Sequence, residues 1–286
     1  MSTTYAPSKT SAVSEVPTAD RPPPSGPAVA HDRVTLPRVV RSEWIKFRTL
    51  RSSWLMLLAA VTAMVAIGAA VGYNTGKNWV GLAPEDAAPS GGLQGYLLAQ
   101  LLVGVLGVLF VTGEYGTGMI RSTLAAVPRR VPVLLAKALV FSGVAVISMV
   151  SASLAGFASA QAFLSHYGHG TSLGDPGVLR VVIGTGIYLT LIGLLGGAIG
   201  WIVRNTAGGI STFLGLLLVL PLMVGLLPGS AVKDVAHYLP SNAGDSLVTS
   251  VHVPGTLTPW LGLVVLLAWV AGTLTVAAIQ LSRKDA

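Results

Sequence analysis

The chain has 286 residues, 52% hydrophobic and only 10% charged, where a soluble globular protein carries roughly 25% charged residues. With a mean hydropathy of +0.71, that balance excludes a water-soluble domain and points to an integral membrane protein. The absence of cysteine excludes disulfides, thiolate metal sites, iron–sulfur clusters and cysteine nucleophiles, and the net charge of +7 matters mainly through its distribution.

Residues 1–36 are rich in Pro, Ser, Thr and Ala, with Pro22, Pro23, Pro24 and Pro27 close together, and contain no apolar run that could form a signal-peptide core. A disordered cytoplasmic tail is expected there, followed by one transmembrane domain over residues 37–286. Leu36, Val40, Trp44, Phe47 and Trp54 then recur at near-helical spacing, with Arg38, Arg41 and Arg48 largely on other faces. Two readings fit: an amphipathic helix lying on the inner leaflet, or a plain basic anchor. Glu43 interrupts the cations and can pair with Lys46 at i+3 or with a basic residue of another cytoplasmic loop.

A helix needs about 20 mostly apolar residues to cross the hydrocarbon core, because its backbone must be satisfied within the segment. Six such helices are expected, near residues 54–73, 93–112, 133–163, 179–203, 207–227 and 259–281. Between the second and third, glycines break the span, Thr117 is placed to cap a short helix from about Gly118 to Ala126, and Pro128 ends it. An ordinary cytoplasmic turn is the alternative. In the fourth span Gly193, Gly196, Gly197 and Gly200 clear a stripe for close helix packing, or for a hinge. Pro221 should kink the fifth span. Pro240 and Ser241 can start a helix whose one face holds Leu239, Ala243, Leu247 and Val251, although a plain interfacial loop also fits.

Six spans put both termini on one side. Fifteen basic residues fall on that side and three (Lys77, Arg180, Lys233) on the other, which predicts cytoplasmic termini and removes any need for a nucleic-acid partner. Lys137, Arg180 and Arg204 lie near helix ends and read as snorkelling anchors. With no ionisable group in the middle of a span, a proton- or ion-driven mechanism lacks its binding groups. Residues 72–78 superficially resemble a phosphate loop but are one residue short and follow no strand. If the chain drives transport, the energy must come from another subunit.

The stretch from Glu114 to Arg130 resembles the Glu-x-x-x-Gly-Thr-x-x-x-x-Leu-x-x-x-Pro-x-Arg pattern of ABC transporter permeases of the type-2 (ABC-2) exporter family. Glu43-x-x-Lys46 with the Arg/Trp-rich approach to the first span is similar to their amino-terminal elbow, and Tyr238 to Asp245 is similar to their outer re-entrant segment. Spacing departs slightly, since Glu114, Gly116 and Thr117 are compressed and paired arginines follow Pro128. The resemblance implies that Glu114, Gly116, Thr117, Met119, Ile120, Arg121, Arg129 and Arg130 form a coupling helix seated on a separate ATP-binding subunit. It further implies an elbow of Glu43, Trp44, Lys46 and Phe47, and an outer re-entrant segment with Pro240, Ser241, Asn242 and Gly244. Two permease protomers, identical or paralogous, would line the pathway in the plasma membrane, in contact with lipid; ATP and magnesium would be held by the partner, with no cofactor on this chain. An amphipathic or apolar exported compound is expected.

The rival is a six-helix membrane scaffold or immunity protein without transport activity. Intramembrane proteolysis finds little support, since Ser211 in Gly209-Ile210-Ser211-Thr212 lacks a following glycine and none of His31, His166, His169, His237 or His252 lies within a span to activate it. His166 and His169 alone are too few ligands for a structural metal.

Overall fold

Lipid leaves backbone polar groups no partner outside their own segment, and the described chain meets that demand entirely with helices. A computed structural model describes residues 35–79, 89–126, 130–250 and 255–283. The proline-rich stretch up to residue 34, Pro128, Arg129 and Val251 lie outside the described residues.

Helix α1 (Leu36–Thr49) has Pro37 in its first turn and stops where Leu50 turns extended (φ −77°, ψ 103°), so α2 (Arg51–Lys77) sets off in a new direction. Trp54 therefore belongs to α2 instead of continuing the apolar stripe of α1. Residues 72–77 are helical, leaving no loop to cradle a phosphate. A 3-10 turn (Pro89–Leu93) leads into α3 (Tyr96–Gly116), followed by the short α4 (Met119–Ala126), the long α5 (Val131–His166) and α6 (Val178–Val203). Then come α7 (Thr206–Leu214), α8 (Leu220–Gly225), α9 (Ser230–Ala236), α10 (Pro240–Val248) and α11 (Pro259–Arg283).

Among the described residues six helical segments are long and apolar enough to cross a membrane: Arg51–Lys77, Pro89–Gly116, Val131–His166, Val178–Val203, Thr206–Gly225 and Pro259–Arg283. They coincide with the expected spans; the first three are a few residues longer at each end, and the others differ by two residues or fewer at either end. The fifth joins α7 to α8 through a π-turn over Gly215–Val219, in which the Leu220 N–H reaches back to the Gly215 carbonyl. The interruption expected at Pro221 is thus an added residue immediately before the proline, a standard way to accommodate its missing N–H.

Glycine decides which spans touch. A Cβ on Gly107 would overlap the Gly193 carbonyl and one on Gly196 the Gly104 carbonyl, so α3 and α6 meet backbone to backbone. Across α2 and α5, a Cβ on Gly68 would come within 2.6 Å of the Gly156 carbonyl, and Gly72 lies equally tight against Ala160. The glycine stripe of α6 is therefore a packing surface. The fifth span is the least buried of the six, with Leu218, Val219, Leu222 and Met223 exposed.

At one end, the N-cap residue of α5 and the C-cap residue of α6 meet the end of α11. Arg130 Nη1 donates to the Leu281 carbonyl (3.2 Å) and Arg204 Nη2 to the Gln280 carbonyl (3.4 Å), satisfying carbonyls that a helix C-terminus leaves unpaired. Arg204 also lies over the Tyr115 ring (5.8 Å), so it is a cap and not a freely snorkelling anchor. Gly196→Ala, whose methyl has only backbone to push against, should lower stability by about 1–3 kcal/mol. Gly143→Ala, with nothing within 4 Å of its Cβ, should not; thermal unfolding of both variants in detergent checks the contrast.

Candidate functional site

Four ionisable side chains converge at the end where α1, α3, α4 and α5 meet. Glu114 lies in the last turns of α3 and Lys137 in the second turn of α5, each at the helix end whose dipole has the sign of its own charge. Neither is stable there alone, and each is buried: Glu114 4% and Lys137 2% exposed. Glu43 of α1 is completely buried. Lys137 Nζ lies 2.8 Å from Glu114 Oε1 and 2.7 Å from Glu43 Oε2, while Lys46 Nζ lies 2.7 Å from Glu43 Oε1 and 3.0 Å from Glu114 Oε1. Two carboxylates and two ammonium groups thus form a neutral quartet, the arrangement in which burial of charge is tolerable.

The surroundings are aromatic. Lys137 Nζ sits 4.2 Å from the centre of the Phe110 ring and 3.4 Å from the Phe110 carbonyl, and Phe47 packs edge-on against Phe110 at 5.1 Å. Low polarity there strengthens the pairing and raises the cost of losing one partner. Partial burial alone would lower the Lys46 pKa, but the bonds and charges of Glu43 and Glu114 outweigh it and hold it above the ordinary value.

This quartet reaches α4 directly: Lys46 Nζ also donates to Thr123 Oγ1 at 3.2 Å. On the same inner side, Ile120 is buried with Val39 of α1, Val111 of α3, Val133 and Leu134 of α5, Trp201 of α6 and Leu281 of α11. Gly118, with φ +72°, makes the turn between α3 and α4. The outer side is different. Gly116, Thr117, Met119 and Ser122 are exposed, so α4 is a short helix fixed from behind with its other face open.

Several sequence expectations change at this point. Lys137 is a buried member of an ion-pair network and not a snorkelling anchor, because a carboxylate from each of two other helices reaches it. Glu114 and Ile120 face inward, while Gly116, Thr117 and Met119 form an open surface at the turn from α3 into α4. Thr117 does not cap α4; its hydroxyl turns back to donate to the Gly113 carbonyl (2.9 Å) and closes α3. Both pairings foreseen for Glu43, the local one and the distant one, are made. On α1 the buried stripe is Val39, Glu43 and Phe47, while Leu36 and Trp44 are exposed. Arg130 caps α11, and the side chain of Arg121 and all of Arg129 lie outside the described features. Phe110 and Thr123 were not singled out from sequence; nothing in their spacing marks them.

At the opposite end, α10 is wedged between α6 and α11. Gly244 accepts the Tyr188 ring where a Cβ would overlap it, Leu247 carries its carbonyl to Gly184 (2.8 Å from the position of a Cβ), and Gly262 of α11 packs on Ala243 and Ser246. Tyr188 is ten residues into α6, about 15 Å along it, so α10 descends beside that span. Pro240 occupies its first turn, and Asn242 Nδ2 donates to the Ala236 carbonyl at 2.9 Å. Ser241 Oγ contacts Asn242 Oδ1 at 3.4 Å. Tyr188 donates to Gln100 Oε1, and Tyr96 to Asp245 Oδ1 at 2.9 Å. Nearby in the sequence, His169 stacks on Trp79 at 3.9 Å while His166 meets Tyr167 edge-on at 5.4 Å.

Lys137→Met should destabilise the protein by about 3–5 kcal/mol by leaving an unbalanced buried carboxylate, and the Glu43→Gln/Lys137→Met double variant should lose clearly less than the sum of its singles. Lys46 gives a pH dependence of known sign: its pKa is raised on folding, so its contribution is full below the unfolded value of about 10.5 and fades as pH climbs through the higher folded one. The stability gap between wild type and Lys46→Met should hold constant from about pH 6 to 9 and narrow above about 10.5. Chemical denaturation across that range measures it.

Comparison with protein families gives one match, to the family described as ABC-2 family transporter protein, over residues 39–219. That range runs from α1 through the π-turn of the fifth span and contains the whole quartet and α4. A comparison with curated proteins returned no match. With the match covering well over half of the chain, and six helices among the described residues long and apolar enough to cross a membrane, this protein belongs to the ABC-2 transporter family.

Proposed function

We propose that the chain is the membrane-spanning permease subunit of an ATP-driven exporter in the plasma membrane, powered by a separate ATP-binding subunit that holds the ATP and magnesium. The carrying observation is the two-sidedness of α4: its inner side is tied to the quartet by Lys46–Thr123 and carries buried Ile120 into the apolar cluster shared by α1, α3, α5, α6 and α11, while Met119 and Ser122 face outward. An element built to be pushed needs this combination. A partner docked on the open face moves α4, and stiff charge pairs carry the displacement into α1, α3 and α5.

In this reading α4 is the coupling helix, α1 the elbow and α10 the outer re-entrant segment. The quartet end, with α4, Arg130 and Arg204, faces the cytoplasm together with both termini, in agreement with the positive-inside distribution of the sequence. Two permease protomers, identical or paralogous, enclose the pathway. The exposed apolar face of the fifth span supports lipid or protomer contact. The cargo is amphipathic or apolar, consistent with span interiors that offer little fixed charge outside the balanced quartet.

Charging the open face tests the docking role: Met119→Glu/Ser122→Glu should leave folding intact, since neither side chain is buried, and should reduce co-purification with the ATP-binding subunit at least tenfold. Equal recovery of the complex from variant and wild type would remove α4 as the docking element. The natural absence of cysteine makes topology equally direct. Cysteine at Ser122 should react with a membrane-impermeant maleimide only in inside-out vesicles, and cysteine at Ser172 only in right-side-out vesicles.

A further inference from the structure

A half-buried arginine with no carboxylate partner among the described residues stands at the end of the molecule opposite the quartet, where α6, α10 and the start of α11 meet. Arg180 occupies the first turn of α6. Its Nη2 donates to the Thr249 carbonyl at 3.2 Å, but its Nη1 is buried with no acceptor, and no carboxylate pairs with it among the described residues. Beside it lies a recess of about 240 Å³, the open solvent at its mouth included, with Arg180, Ser246, Thr249, Ser250 and Thr256 on its polar wall and Leu257 and Pro259 on its apolar one.

The hydroxyl protons around the recess are not equivalent. Ser246 donates to the Ala243 carbonyl (2.7 Å) and Thr249 to the Asp245 carbonyl (2.8 Å), so their protons are committed. Ser250 and Ser90 share a single hydrogen bond between their oxygens at 3.0 Å. Two hydroxyls joined by one bond leave one O–H undirected. A guanidinium N–H and a serine O–H therefore remain as donors around a net positive charge, to which the positive end of the α6 dipole adds. Water offers acceptors alone, whereas an oxyanion offers acceptors together with the opposite charge.

We propose that this recess binds a phosphate group, with Arg180 as its charged ligand and the Ser90–Ser250 pair as its neutral donor. Arg180 lies at the first turn of a membrane span, the depth of lipid headgroups, so the group is supplied either by a phospholipid or by free phosphate. The site is separate from the quartet and stands whether or not α4 docks an ATP-binding subunit.

The test uses the full chain, delipidated in a maltoside detergent and titrated separately with inorganic phosphate and with a short-chain phosphatidylglycerol, binding being read by native mass spectrometry and by the shift in melting temperature. Wild type should bind one phosphate-bearing molecule, Arg180→Gln should weaken that binding tenfold or more, and Arg180→Lys should fall between. Saturation by the lipid at lower concentration than by inorganic phosphate identifies a headgroup site, and the reverse order identifies a free-ion site. If Arg180→Gln fails to fold, Ser250→Ala decides, with an expected loss of at least threefold. Absence of binding by either probe, or binding unchanged in Arg180→Gln and Ser250→Ala, overturns the proposal.

Discussion

Glu43, Glu114 and Lys137 are held, with Lys46, in a place where none of the three could remain alone. Glu114 and Lys137 each oppose the dipole of their own helix, and three of the four are almost entirely removed from water. Only mutual neutralisation makes that burial tolerable, and it does so by fixing α1, α3 and α5 together within hydrogen-bond distances of 2.7 to 3.0 Å. Replacement of such a network by apolar residues is often harmless to stability in other proteins, whereas removal of one member is not. Its value here is geometric: it leaves the bond from Lys46 to Thr123 pointing at α4 from a rigid base.

Rigidity continues beyond the quartet. Helix α3 carries Glu114 near one end and Gln100 some 14 residues, about 21 Å, away, and it is locked to α6 by reciprocal glycine contacts that leave no side chain between the backbones. Gln100 in turn accepts from Tyr188, which fills the notch at Gly244 of α10. The α3–α6 pair therefore links the braced end with the wedge at the far end as one packed unit, whereas the fifth span, interrupted by its π-turn, lies mostly outside it. Within the proposed function, α3–α6 transmits force and the loosely held spans have the freedom to rearrange.

How far this could be read in advance depended on the range of each interaction. Span positions follow from runs of apolar residues, a local signal, and all six coincide with the expected segments; the close glycine contacts of α6 were visible as i, i+4 pairs. The partnership of Glu43 with Lys46 was equally local. Lys137 was misread because proximity to a helix end is the usual mark of a snorkelling lysine, and its true partners are 23 and 94 positions away in the chain. A useful hint was available in the parity of two acids and two bases beside neighbouring span ends, yet parity does not reveal contact. Thr117 was misassigned for a different reason: it stays in the helical region (φ −89°, ψ −5°) as the C-cap of α3 and its hydroxyl takes the i−4 carbonyl of Gly113, so the turn falls one residue later, at Gly118.

The central claim is that α4 is pushed on its open face and braced on its inner one. Amide hydrogen exchange, compared for the chain alone and assembled with its ATP-binding subunit, tests this most directly. The account predicts new protection across residues 116–123 on assembly, strengthened when nucleotide closes the partner, and slow exchange in both states at residues 108–114 behind it. Protection elsewhere on the surface with residues 116–123 unchanged would contradict it.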